Sequence, residues 1–253
     1  MKGKRTPLSI NYEIGDLEFN TIDWFDDDYV IKGDTKDEDG NYITRYNQQH
    51  DKFYTIFGFG VTETGQSVCC RINGYQPYFY VLIPQDFNDK QIKDFKTAFD
   101  PENIAEVPQG TLNNVDKFFS PYMKNAITGI EEVEREILWK FMNKQKFRFL
   151  KVSFQSYFAL KFYFRALSEP INLGIRGSYR GKQKYNLFEA DLEPLLRFYH
   201  DTRVKPSGWI KVLDKTYKKV KNQSHCQINV SVDVERVIVS DNTGIAPLRV
   251  ASF

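Results

Sequence analysis

Three groups of side chains in this 253-residue chain have types and spacings that could do chemistry. The first is the pair Asp233 and Glu235 in SVDVERVIV. Carboxylates two apart on a strand face the same side. Such a pair can hold divalent cations for two-metal phosphodiester hydrolysis. A metal site needs more acids converging, and no spacing here supplies them; an exposed edge of a half-buried strand is the plainer reading. Asp191 and Glu193 share the spacing but lie in a helical pattern, where i and i+2 do not face each other. His50, His200 and His225 are scattered, and His200–Asp201 reads as a polar helix end. There is no phosphate-binding glycine loop, no G-x-S-x-G and no G-x-G-x-x-G. No residue is assigned as catalytic and none as a metal ligand.

The second group is RGSYRGKQKY, residues 176–185. Glycines let a backbone approach phosphates, basic side chains neutralise them, and tyrosines can stack on bases. Arg176, Tyr179, Arg180, Lys182 and Lys184 are therefore the candidate nucleic-acid-binding residues, with Tyr185 a second ring in the pattern. A soluble flexible loop is the competing reading. Downstream, Lys211, Lys215, Lys218, Lys219 and Lys221 in KVLDKTYKKVKNQ read as a polar lysine hairpin. The third group, IFGFGV at 56–61, is similar to the aromatic strand of RNA-recognition domains. Its glycines and rings are out of phase with that pattern, and ordinary strand residues explain Phe57 and Phe59 better.

Composition allows a real core: 41% of residues are hydrophobic and 15% aromatic. A net charge of +2 gives no strong overall field for a polyanion. The charge is uneven, with residues 1–50 at net −5 and residues 174–221 at net +7. Three cysteines, Cys69, Cys70 and Cys226, lack the count and spacing of a disulfide framework or zinc site and suit a reducing compartment. No 18-residue apolar run exists, so no membrane partner is expected.

The elements that must position these groups follow from periodicity. Strands are expected at 53–61, 67–72 and 78–83, forming an antiparallel meander around TETG. A helix over 86–99 turns Phe87, Ile92, Phe95 and Phe99 inward. Residues 100–130 read as loop, and EILWKFMNKQKFRFLKVSF as two strands around NKQK. A helix over 155–170 stops before Pro170, and residues 171–175 form a short strand. This order is that of a split βαβ, ferredoxin-like unit, common among RNA-recognition domains. A further helix over 187–201 turns Leu192, Leu195, Leu196 and Tyr199 inward, with strands at 207–212, 224–234 and 236–240.

Four segments, taken together, resemble the N-terminal region of delta-type family B DNA polymerases. FGFGVTETGQSVCCRINGYQPYFYVLIP is similar to that family's strand pair ending in PYFYV. KFMNKQKFRFLKVSF is similar to a segment in polymerases of large DNA viruses. LFEADLEPLLRFYHDTRVKPSGWIKV is similar to the family's YE…LRF…W element, with Phe188 in place of Tyr and Ala190–Asp191 in place of Ser-Asn. IAPLRVASF, at 245–253, resembles the strand leading into the first exonuclease motif, Asp-x-Glu, which would begin one residue past Phe253.

The resemblance implies an α+β fold, combining an antiparallel β-barrel-like part with a ferredoxin-like part. It implies an N-terminal domain over 1–244, subdivided at 52/53 and 176/177, and the first exonuclease strand at 245–253. It implies a parent DNA-directed DNA polymerase with 3′–5′ proofreading that uses Mg²⁺, while this stretch carries no catalytic carboxylate and no cofactor. Asp233 and Glu235 match no motif acid and become surface residues. The expected role is template-side: single-stranded DNA and the remaining exonuclease and polymerase domains are the partners, in an intracellular reducing compartment, the host cytoplasm or nucleus if viral. The rivals are a purely structural or protein-interaction module, and a free-standing RNA-binding ferredoxin-like domain.

Overall fold

The computed structural model describes residues 15–30, 52–99, 126–137, 144–170, 184–220 and 223–247. The chain divides into two compact units. The first comprises Met1–Asp27, Tyr54–Tyr75 and Leu195–Phe253; the second comprises Asp28–Phe53 and Gln76–Pro194. Strands dominate both, with three α-helices among the described residues, so the fold is α+β.

The first unit is built on a seven-stranded sheet. Its strands are β1 (Leu17–Val30), β2 (Lys52–Val61), β3 (Ser67–Asn73), β8 (Trp209–Val212), β9 (Tyr217–Lys219), β10 (Ile228–Asp233) and β11 (Val237–Val239), in the order β11-β8-β1-β2-β3-β10-β9. Strands β2 and β3 are antiparallel, with Ile56 opposite Ile72 and Val61 opposite Ser67. The turn between them closes through Thr62 N–H to Gln66 O at 3.0 Å and Gly65 N–H to Thr62 O at 2.9 Å. Gly65 sits at φ +85, a conformation only glycine adopts without strain. On its other edge β3 pairs in parallel with β10, Val68 opposite Ile228.

That parallel pairing overturns the three-strand meander. With both edges of β3 taken, the strand at Tyr78–Leu82 (β4) lies in a different sheet. Pro77, just ahead of it, has no N–H to extend a ladder; its carbonyl accepts from Phe154 N–H at 2.8 Å in the second unit. The lysine hairpin is also corrected: β8 pairs with β1 and β11, whereas β9 pairs with β10.

The second unit holds a four-stranded sheet, order β5-β6-β4-β7, with β5 at Ile127–Glu136, β6 at Lys146–Phe154 and β7 at Leu187–Phe188. All neighbours are antiparallel. Helix α1 (Asp89–Phe99) and helix α2 (Tyr157–Ser168) share one core with the sheet. Phe79 and Val81 of β4, with Leu150, Val152 and Phe154 of β6, are fully buried there. Against them pack Ile92 and Phe95 of α1 and Leu160, Tyr163 and Leu167 of α2.

Helix α2 begins where its sequence says it should. Ser156 caps it, its Oγ accepting from Ala159 N–H at 3.1 Å. The Asp28 carboxylate accepts the next two free donors, Tyr157 N–H at 2.7 Å and Phe158 N–H at 2.8 Å. Three of the four orphan N–H groups of the first turn are thereby satisfied, and the negative charge suits the helix N-terminus. The helix ends as expected: Glu169, before Pro170, is extended at ψ 154.

The strand that pairs with β6 is not the one expected. It is β5, which begins within the expected loop at 127–130 and continues through 131–135, where no element is expected; of the expected partner strand, residues 138–143 lie outside the described ones. Four glutamates make 127–136 look unlike a strand. At a sheet edge, however, only one row must be apolar, and acids can be accommodated by charge pairing. Glu132 meets Lys96 Nζ at 2.5 Å and Arg148 Nη2 at 2.5 Å, joining β5 to α1 and β6.

Two outcomes are expected. A Cβ at Gly60 would lie 2.3 Å from the Asn20 carbonyl oxygen, so Gly60→Ala is expected to cost about 3 kcal/mol through overpacking, read as a lower urea midpoint. The Lys96 hydrogen bond, then Arg148, holds the Glu132 carboxyl below its ordinary range. The stabilisation is therefore present above the unfolded-state value and lost as pH falls through the lowered folded one. Because the pair is partly exposed, Glu132→Gln should remove only about 0.5–1 kcal/mol at pH 7, and the difference from the parent should vanish in acid.

Candidate nucleic-acid interface

The expected interface falls across a boundary of the described residues. Arg176, Tyr179, Arg180 and Lys182 lie outside them, as does the expected strand at 171–175. Lys184 is described and exposed. What positions it is the residue that follows. Tyr185 is buried and its ring stacks on Phe95 of α1, centroids 5.1 Å apart and planes at 23°. Asn186 O then accepts from Leu82 N–H at 3.0 Å, and Leu187 and Phe188 pair with Val81 and Tyr80. The basic segment thus runs into a fixed point on the sheet of the second unit. Tyr185, read from sequence as a ring available to bases, is instead part of the core.

The other candidates resolve as follows. Phe57 is buried, with its ring centroid 6.1 Å from Phe25, and Phe59 is half-buried. Gly60 of the same motif is there because β1 passes too close for a side chain. Lys211 is bound to Asp16, Nζ to Oδ2 at 2.7 Å, and Asp16 is held below the usual carboxylate range by that bond and by Asp214 N–H. Lys215, Lys218 and Lys219 are exposed, and Lys221 lies outside the described residues.

The acidic pair does not share the strand face that its spacing suggests. Asp233 ends β10, but Glu235 sits in a 3₁₀ turn over Val234–Arg236. Both are exposed. Asp191 and Glu193 precede the third helix, α3, which spans Pro194–Thr202 rather than 187–201. Pro194 is its first residue, where the missing N–H costs nothing. The later start rotates the face: Arg197 and Phe198 are buried and Leu196 is 46% exposed. Asp201 accepts from Tyr75 OH at 2.8 Å, a structural role, and His200 is exposed. Among the described residues no three His, Cys, Asp or Glu side chains converge as a metal site, so these residues do not fit the divalent cation of a nuclease.

One constellation escaped the sequence reading. On the sheet face opposite the helices, Tyr80, Phe149 and Phe188 come from three adjacent strands. Phe149 meets Tyr80 at 6.1 Å and 69°, and Phe188 at 5.3 Å and 82°, both edge-on. They line a cleft of about 260 Å³ with Arg135, Glu136, Ile137 and Glu189. Beside it, Lys151 Nζ stands 4.2 Å above the Tyr78 ring. The available signal was the alternation in YFYVL and KFRFLKVSF, which puts odd and even rings on opposite faces.

Comparison with known proteins shows what the chain is similar to. Residues 185–253 match the model of the DNA polymerase family B exonuclease domain. The chain is 29% identical over 93% of its length to a DNA polymerase of Pyramimonas orientalis virus. It is 29% identical over 77% of its length to the DNA polymerase delta catalytic subunit of Drosophila melanogaster. Over most of its length the chain is thus similar to the N-terminal region of family B DNA polymerases. It spans 17% of the viral relative and 18% of the fly relative. In fold, the chain is similar to the family B DNA polymerase of the archaeon Pyrobaculum calidifontis, with TM-score 0.50 over 92% of this chain and 21% of that one, at 16% identity.

The anchoring of the basic segment predicts an asymmetry. Tyr185→Ala should cost about 3–4 kcal/mol, as for a buried aromatic, whereas Lys184→Ala should stay within about 0.5 kcal/mol. Urea unfolding of both variants measures it.

Proposed function

We propose that this chain is the template-side N-terminal part of a DNA-directed DNA polymerase with 3′–5′ proofreading. The observation that carries the reading is the continuous similarity to DNA polymerases over 93% of the chain. In this role it supports DNA replication by binding single-stranded template, with no catalytic group of its own. The partners are the template and the exonuclease and polymerase domains of the same polypeptide, in an intracellular compartment. No helix among the described residues is long and apolar enough to cross a membrane. The Mg²⁺ of the parent enzyme would be held by residues other than those described here, where no cluster of acids fits it.

The finer architecture is read in the same way. In the second unit the strand order β7-β4-β6-β5, antiparallel neighbours and two helices sharing one core with the sheet support a ferredoxin-like part. The mixed seven-stranded sheet of the first unit supports the β-barrel-like part. The domain limits proposed are 1–244 for the N-terminal domain and 245–253 for the lead-in strand of the exonuclease.

DNA contact is assigned to Arg176, Arg180, Lys182 and Lys184 at phosphates and to Tyr179 at a base. Four neutralised phosphates on a single strand give a log–log salt slope of roughly −3. Fluorescence anisotropy of a labelled oligo-dT across a salt series, with the 253-residue chain, should return that slope. Changing the four basic residues to Ala should abolish it. Salt-independent binding, or unchanged affinity in the variant, would favour a structural module without DNA contact.

A further inference from the structure

We propose that Asn73–Gly74, at the end of β3, is a site of spontaneous covalent modification, with Ser231 as the brake on its rate. The inference does not depend on the DNA role above.

Asn73–Gly74 is the one Asn-Gly step in the sequence. The chemistry needs only water. The Gly74 main-chain nitrogen attacks Cγ of the Asn73 side chain, and its proton passes through water to the departing Nδ2. An N–Cγ bond forms, the Cγ–Nδ2 bond breaks, and ammonia leaves. Water then opens the cyclic imide at either carbonyl, giving aspartate or isoaspartate. A side chain on the following residue would shield the attacking nitrogen, so glycine is the permissive neighbour. Gly74 is exposed, and a Cβ built on it would meet nothing beyond its chain neighbours closer than Val234 at 4.0 Å.

Ring closure also requires Asn73 to turn out of the extended conformation, and its place in the sheet allows that. It is the last residue of β3 and forms the last rung with β10, opposite Asp233. The ladder with β2 stops one residue earlier, at Ile72. A terminal rung paired on one edge opens more readily than the interior of a sheet.

The carboxamide is held from one side. Its Nδ2 donates to Ser231 Oγ at 2.7 Å, while its Oδ1 is buried with no hydrogen-bond partner among the described residues. Ser231 Oγ also accepts from Arg71 Nε at 3.3 Å and Nη2 at 3.2 Å. The guanidinium therefore stands beside the carboxamide, where its charge favours both the oxyanion formed during attack and the carboxylate of the product. Ser231 restrains the amide, and Arg71 assists the chemistry once that bond opens. The products would disturb the fold. Aspartate places a second carboxylate opposite Asp233, and like charges directly opposite destabilise a strand pair. Isoaspartate lengthens the main chain by one carbon shortly before Tyr75, which is buried and donates to Asp201 at 2.8 Å.

The test incubates the folded 253-residue chain in mildly alkaline buffer. Peptide mapping by mass spectrometry should find the amide-to-acid mass gain at Asn73, with isoaspartate among the products. Ser231→Ala should raise the rate about fivefold, the worth of one hydrogen bond. Ser231→Thr keeps the hydroxyl and should return the rate towards that of the parent. A short peptide spanning residues 71–76 sets the unrestrained rate and should react faster than any folded chain. Conversion of the peptide with no product at Asn73 of the folded chain would overturn the site. Ser231→Ala reacting no faster than the parent, or an acceleration that Ser231→Thr shares, would overturn the brake.

Discussion

Along a β-strand successive side chains must point to opposite faces, and in Lys146–Phe154 that constraint organises the second unit. One row, Leu150, Val152 and Phe154, is fully buried beneath the two helices. The other row, Phe147, Phe149 and Lys151, faces the opposite side and supplies the floor of the cleft and the cation over Tyr78. A shift of one residue in register would exchange the rows, putting Lys151 into the core and Phe154 outside. The sheet's chemistry and its stability are thus set by the same pairing.

Polar groups hold this arrangement at its ends. Asp28 receives the first two N–H groups of α2, and Glu132 gathers Lys96 from α1 and Arg148 from β6. The two acids differ in what they do. Asp28 answers main-chain donors that no helical carbonyl can reach, so its loss would leave them to water. Glu132 brings together two long cations that solvent could otherwise serve, and its contribution is correspondingly small. Lys211 with Asp16, in the first unit, is a pair of this second kind.

Legibility in the sequence followed the strength of local signals. Strands β2, β3 and β4 and helices α1 and α2 stood out because apolar spacing, turn residues and caps agreed within each segment. Phe87, Ile92 and Phe95 turned inward as their spacing required. Strand β5 was hidden because four glutamates mask its apolar row, and the partners of Glu132, Lys96 and Arg148, lie on other elements. The face of α3 was misjudged because the helix opens at Pro194, seven residues later than its apolar pattern suggests. The pairing of β3 with β10 spans about 160 residues, which no local pattern encodes. The aromatic cleft is the same problem in another form: each ring was visible, but their convergence needed the order of three strands.

The first unit is discontinuous, and its sheet pairs Leu17 with Val212 and Val68 with Ile228. The second unit lies wholly between Leu17 and Val212 in sequence. During synthesis from the N-terminus, every strand and helix of the second unit therefore emerges before β8 and β10 exist to complete the first. Until then β1 and β3 have edges without their eventual neighbours, and such edges invite pairing with other chains. β1 itself carries Glu18, Asp23, Asp26, Asp27 and Asp28, and that like charge would oppose its pairing with the same strand of another chain.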